Sequence, residues 1–145
     1  MTLFFLNIVP ATGQLRWIRA GHDPAFIYDA QDNRFQELMG TGMALGVDPG
    51  YDFEEFSTNG LKHGQLIVIG TDGIWEGTNS AGEMFGKERF RDILRRKAHL
   101  NATGIIDAVY QELDNFTSGL KQKDDVTLVV IKVEGNYGPI EDWHI

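Results

Sequence analysis

The chain of 145 residues has no cysteine, which excludes disulfide scaffolds, thiolate metal sites and thiol nucleophiles. Any metal must therefore sit on oxygen or imidazole ligands. Basic residues are also scarce. Thirteen Lys and Arg against twenty-one Asp and Glu give a net charge of −8, leaving no basic face to replace counterions along a nucleic-acid backbone. No apolar run approaches the roughly 18 residues of a membrane-spanning helix, and residues 1–10 lack both a basic leader and a small-residue cleavage site. The expectation is a cytoplasmic protein with no nucleic-acid and no membrane partner. What is present, 42% hydrophobic and 23% charged residues, suits one globular domain. A complete domain of this length buries on the order of 70% of its unfolded surface.

Turn residues divide the first half into short extended runs. Leu3–Val9 and Gln14–Ala20 flank Ala11-Thr12-Gly13 and are expected as an antiparallel hairpin. Residues 25–28 and 34–38 repeat the pattern around Ala30-Gln31-Asp32-Asn33, 40–50 read as a glycine-rich loop, and 51–57 resume extended structure. Residues 66–69, closed by Gly70, have the continuous apolar character of a strand buried on both faces. Two amphipathic helices follow. Phe90, Ile93 and Leu94 fall at helical spacing within 87–98, and Ile105, Ile106, Val109, Leu113 and Phe116 stripe 103–117. Asn101 or Thr103 is the N-cap candidate, and Gly119 stands where the second helix should end. Residues 126–133 form the last apolar run. Strands, two helices and a returning strand predict an α+β layered domain rather than alternating βαβ units. It spans residues 1–133, with 134–145, including Trp143, as a loosely packed tail.

Three stretches carry chemistry. In Gly70-Thr71-Asp72-Gly73-Ile74-Trp75-Glu76, a carboxylate at the end of a buried strand either closes an Asp-Gly turn or points into a cleft. The nucleophilic Asp of a haloacid-dehalogenase-type phosphatase would stand at position 70, which is Gly. A calcium loop counted from Asp72 puts Gly77 sixth and Glu83 twelfth, but Ile74 occupies the third position and a strand, not a helix, precedes it. The second stretch, Lys123-Asp124-Asp125-Val126-Thr127, opens the last strand with adjacent carboxylates, which repel unless solvated or bridged by a cation. Together with Asp72 they offer hard oxygen ligands suited to magnesium or manganese. The third is Arg19-Ala20-Gly21-His22-Asp23-Pro24, where His22 is open to three readings: general acid, phosphate contact or turn residue. His63, His99 and His144 lie in polar surroundings and read as surface residues. The 40–46 loop is no dinucleotide fingerprint, because Leu45 takes the third glycine position, and no Gly-Lys-Ser/Thr loop exists.

Taken in order, Ala20-Gly21-His22-x-Pro24, Leu45-Gly46, Thr71-Asp72-Gly73-Ile74-x-Glu76 with Asn79, Gly82-Glu83-x-Phe85-Gly86 and Asp124-Asp125-Val126-Thr127 form a set. It resembles the bacterial stage-II-sporulation-E-like branch of the metal-dependent, type 2C serine/threonine protein phosphatases. The resemblance covers about residues 2–133. It implies an α/β/β/α sandwich and hydrolysis of phosphoserine or phosphothreonine on a phosphorylated regulatory protein, typically an anti-sigma-factor antagonist. It also implies two Mn2+ or Mg2+ ions that activate a water. Carried over by position, Asp72 and Asp124 resemble the family's metal ligands and are the catalytic candidates. Asp125 is expected to support its neighbour, and His22 to lie at the rim of the site as a substrate contact. The family's upstream Gly-Asp segment, whose Asp bridges both metals, has no counterpart before Leu3. The expectations are a C-terminal portion of the catalytic domain, inactive alone, whose exposed sheet edges make it self-associate as a homo-oligomer. The alternative is a degenerate, non-catalytic module that binds a partner or reports a signal. The metal reading requires Asp72 and Asp124 to converge, which is expected because both end or open strands read as central.

Overall fold

The computed structural model describes residues 1–118 and 124–135, so Gly119, Lys123, Trp143 and His144 lie outside the described residues. Two antiparallel sheets are stacked. Strands β1 (Leu3–Val9), β2 (Gln14–Ala20) and β5 (Glu55–Thr58) form one in the order β1-β2-β5. Strands β3 (Ala25–Asp29), β4 (Arg34–Leu38), β6 (Leu66–Gly70) and β7 (Leu128–Lys132) form the other in the order β4-β3-β6-β7. Helices α1 (Lys87–Lys97) and α2 (Ala102–Thr117) pack on the outer face of the four-stranded sheet. Among the described residues, the layers are therefore α/β/β.

Period-two alternation sorts the side chains between two cores. From β3 and β6, Phe26, Tyr28, Leu66 and Val68 point to the helices and meet Phe90, Ile93, Leu94, Ile105, Val109 and Leu113. The intervening Ala25, Ile27 and Ile67 point the other way, against Leu15 and Trp17 of β2. The expected burial of 66–69 on both faces follows from this sandwiching. Truncating one of the fully buried aliphatics to Ala costs about 2–5 kcal/mol, so neither core is dispensable.

The expected antiparallel hairpin β1–β2 is present, with Leu6 opposite Trp17 and Ile8 opposite Leu15. Asn101 caps α2, its side chain accepting from the Gly104 amide at 2.8 Å. Ser118, not a glycine, takes the left-handed position after α2, with φ of 53°. Three expectations need correction. Pairing over 51–57 is confined to β5, which begins at Glu55 and runs to Thr58. The last strand begins at Leu128 rather than 126, because the Thr127 amide donates to the Thr71 side chain instead of to a backbone carbonyl of β6. Nor is β7 central: it is the edge of its sheet, and Val129 is 43% exposed.

Candidate functional site

Strand β6 is central, and the chain leaves it at Gly70 into the turn that carries Asp72. The Ile74 amide donates to the Thr71 carbonyl at 3.1 Å and the Glu76 amide to the Asp72 carbonyl at 2.8 Å. That turn is driven inward on one side by Ile74 and Trp75, both buried in the helix-side core, which leaves Asp72 exposed on the other. The Asp72 carboxylate accepts only a local bond from the Gly73 amide, at 3.0 Å, and no cationic side chain of the described residues pairs with it.

The second acidic segment lies directly against this turn. Thr71 Oγ1 donates to the Asp125 carbonyl at 3.1 Å and accepts from the Thr127 amide at 3.0 Å, while the Thr71 amide donates to the Thr127 carbonyl at 3.1 Å. Gly73 is required by the approach: a Cβ there would lie 2.5 Å from the Asp125 carbonyl oxygen and 3.4 Å from that of Asp124. The backbones of the two motifs are thus in contact, and the side chains of Asp124 and Asp125 are exposed beside them. What Asp125 contributes to the junction is its carbonyl.

His22 reaches the same place from the other sheet. Thr2, Gly21, His22, Asp23, Thr71 and Asp72 line one solvent-open cleft of about 350 Å3. The His22 ring is held edge-on to Phe4 at 6.2 Å, and its Nδ1 lies 2.8 Å from the Asp23 carbonyl, so Nδ1 carries the proton of that bond. Behind it, Arg19 donates from Nε to the His22 carbonyl and from Nη1 to the Gly40 carbonyl at 2.7 Å. The glycine-rich loop packs onto this turn. A Cβ at Gly21 (φ +68°) would come within 2.9 Å of the Ala44 amide nitrogen, and one at Gly42 within 2.3 Å of the Arg19 carbonyl oxygen. Asp23 pairs with Lys87 at the start of α1 at 3.3 Å, and the Lys87 ammonium also sits 4.7 Å over the Trp75 ring.

The remaining motif residues hold up the scaffold. Asn79 closes the 79–83 turn, its Oδ1 accepting from the Ala81 and Glu83 amides at 3.0 Å and its Nδ2 donating to Glu83 at 2.8 Å. Phe85 is buried in the helix-side core. His63 and His99 are exposed and lie away from the cleft's lining. In donor type the site fits a hard divalent cation, since Asp72 and Asp124 offer exposed carboxylates on adjoining turns. In number the set is partial: among the described residues no three Asp, Glu or His side chains are grouped to hold one ion. Reasoning from residue types passed over Thr71 as a functional side chain, although its place beside Asp72 in the Thr-Asp-Gly motif was the available signal.

Residues 1–134 match the family model for stage II sporulation protein E. Protein IcfG of Synechocystis is 34% identical over 131 residues, which are 90% of this chain and 20% of that protein. Phosphoserine phosphatase RsbU of Bacillus subtilis is 27% identical over 132 residues, 91% of this chain and 38% of that protein. Among solved structures, the SiaA-PP2C domain of Pseudomonas aeruginosa matches with a TM-score of 0.70 at 25% identity, over 83% of this chain and 47% of that one. The manganese-presoaked phosphatase domain of SpoIIE from Bacillus subtilis matches at 0.62 and 24% identity, over 93% of this chain and 57% of that one. The chain therefore spans under two-fifths of these curated relatives and about half of these solved chains.

Proposed function

The chain belongs to the stage II sporulation protein E family, with the type 2C phosphatase fold, and from that premise we propose that it is part of a metal-dependent serine/threonine phosphatase domain. Its substrate would be a phosphorylated regulatory protein of the anti-sigma-factor-antagonist type, a reading supported by the likeness to the phosphoserine phosphatase RsbU. The observation that carries the proposal is the junction of the Asp72 and Asp124-Asp125 turns through Thr71, with His22 on the cleft that Asp72 lines.

Each residue then has a role set by its chemistry. Asp72 and Asp124 hold Mn2+ or Mg2+ through carboxylate oxygens. Once held in the completed domain, such ions supply an activated water and neutralise charge at the phosphoryl group, so no protein nucleophile is needed. His22 has Nδ1 engaged with the Asp23 carbonyl, which leaves Nε2 as the ring nitrogen for a phosphoryl oxygen or its water shell. The open cleft suits a phosphorylated side chain presented on a protein surface.

The test is manganese-dependent hydrolysis of a phosphoserine peptide by the full-length protein. Asp72→Ala and Asp124→Ala should each reduce turnover by at least about 100-fold while leaving the melting temperature nearly unchanged. Retained turnover in both variants would reject these roles. The partial ligand set among the described residues favours a second reading for the isolated chain, a non-catalytic module that keeps the surface of the domain. Negligible hydrolysis by the 145-residue chain, with turnover once an upstream Gly-Asp-containing segment of the family is joined to it, assigns the remaining ligands to such a segment. Absence of turnover in both supports the non-catalytic reading.

A further inference from the structure

The acidic segment before β7 is held from two sides by hydroxyl groups of Thr71 and Tyr110. From the β6 side, Thr71 Oγ1 donates to the Asp125 carbonyl and accepts from the Thr127 amide, at 3.1 and 3.0 Å. From the helix side, Tyr110 Oη of α2 donates to the Val126 carbonyl at 3.1 Å. These bonds fall on three successive residues, 125, 126 and 127, immediately after Asp124. One backbone bond, from the Thr71 amide to the Thr127 carbonyl at 3.1 Å, extends toward this segment from the β6–β7 ladder, and beyond it side-chain bonds of this kind fix where the backbone lies.

The Thr71 hydroxyl makes one donor and one acceptor bond, and both join the Asp72 turn to the Asp124 turn. Gly73 sets the other half of the contact by leaving room for the Asp125 carbonyl. Tyr110 is 40% exposed, so hydrophobic burial does not explain its placement; its hydroxyl reaches the Val126 carbonyl.

We propose that Thr71 and Tyr110 are positioning residues, a hydroxyl clasp that sets the separation of the Asp72 and Asp124 carboxylates and so the site's affinity for a divalent cation. The proposal rests on the metal reading above for its purpose, but the clasp itself is measurable without metal. Outer-shell groups that orient ligands typically change metal affinity by 10- to 100-fold, which sets the scale expected for Thr71.

The experiment uses the 145-residue chain, with amide exchange followed by NMR and manganese added alone as the paramagnetic probe. Thr71→Val keeps the shape and removes both bonds; Thr71→Ser keeps the hydroxyl; Tyr110→Phe removes only the helix-side bond. Thr71→Val should speed exchange of the Thr127 amide at least about tenfold and weaken manganese broadening at Gly73 and Asp124 by a similar factor in midpoint. Thr71→Ser should restore both, and Tyr110→Phe should weaken binding by a few-fold without exposing the Thr127 amide. Unchanged exchange and unchanged broadening in Thr71→Val overturn the clasp. If the parent chain shows no site-specific broadening, the cation-affinity half of the proposal is overturned, and the clasp stands or falls on Thr127 exchange and its rescue by Ser.

Discussion

At the scale of single residues, Gly73 and Asp72 make opposite demands. Gly73 is needed by packing, because any side chain there would collide with the Asp125 backbone. Gly73→Ala should therefore destabilise the chain by about 1–3 kcal/mol in urea unfolding. Asp72 is exposed and, among the described residues, bonded only to its neighbour's amide, so Asp72→Ala should change stability by no more than about 0.5 kcal/mol. A second carboxylate, Asp29, responds to pH. The Gln65 amide donating to its Oδ2 at 2.9 Å, with help from backbone amides and Lys62, outweighs partial burial and holds the Asp29 carboxyl below the usual aspartate value. A group lowered in the folded state contributes stability that is present above its unfolded pKa, about 4, and lost as pH falls through the folded one. Gln65→Leu should thus shrink the difference in unfolding free energy between pH 7 and pH 3. Gln65 also accepts from the Lys62 amide, a bond that does not titrate, so the pH difference isolates Asp29. An undiminished difference in the variant rejects the assignment.

At the scale of elements, local rules account for most boundaries. Helix α2 begins where Asn101 can accept from the Gly104 amide, and Asn101→Ala should cost about 1 kcal/mol, read by thermal unfolding. The end of α1 is settled from elsewhere in the chain: Lys132 of β7 donates to the carbonyls of Ala98 and Leu100. A cation at that end also suits the helix dipole. Boundaries that local pattern misplaced are those with a competing tertiary bond. Thr127 has a strand-like side chain in an apolar run, yet its amide goes to Thr71 and β7 starts one residue later. Periodicity reports which face a residue can bury, not which neighbour claims its backbone.

At the scale of the molecule, the helices cover one face of the four-stranded sheet and the three-stranded sheet covers the other. The outer face of that three-stranded sheet carries Leu3 and Phe5 on the edge strand β1, 41% and 51% exposed. An apolar edge strand is a template for association, and a net charge of −8 opposes it only at long range. We expect the isolated chain to form dimers or higher oligomers in concentration-dependent light scattering. Phe5→Lys, which places a charge on that edge, should shift the population toward monomer. A strictly monomeric parent chain across the series would mean that this face is stable in water by itself.

The amino-acid sequence alone determined the local menu. Hydrophobic period marked β1, β2, β4, β6 and both helices, glycine and asparagine marked turns and a cap, and the motifs marked the family because five of them in one order are far more specific than any one alone. It also singled out Asp72, Asp124 and His22, because these positions fall in the ordered motifs that carry the family resemblance. Tertiary structure decided which of these share a place. Asp72 and Asp124 are 52 positions apart, and their turns meet because β7 returns antiparallel alongside β6. His22 joins them only because the two sheets stack, bringing the end of β2 beside the end of β6. The edge position of β7 and the hydroxyl clasp of Thr71 and Tyr110 were likewise beyond local pattern. Both depend on hydrogen bonds between residues 16 or more positions apart, and no periodicity encodes a partner at that separation.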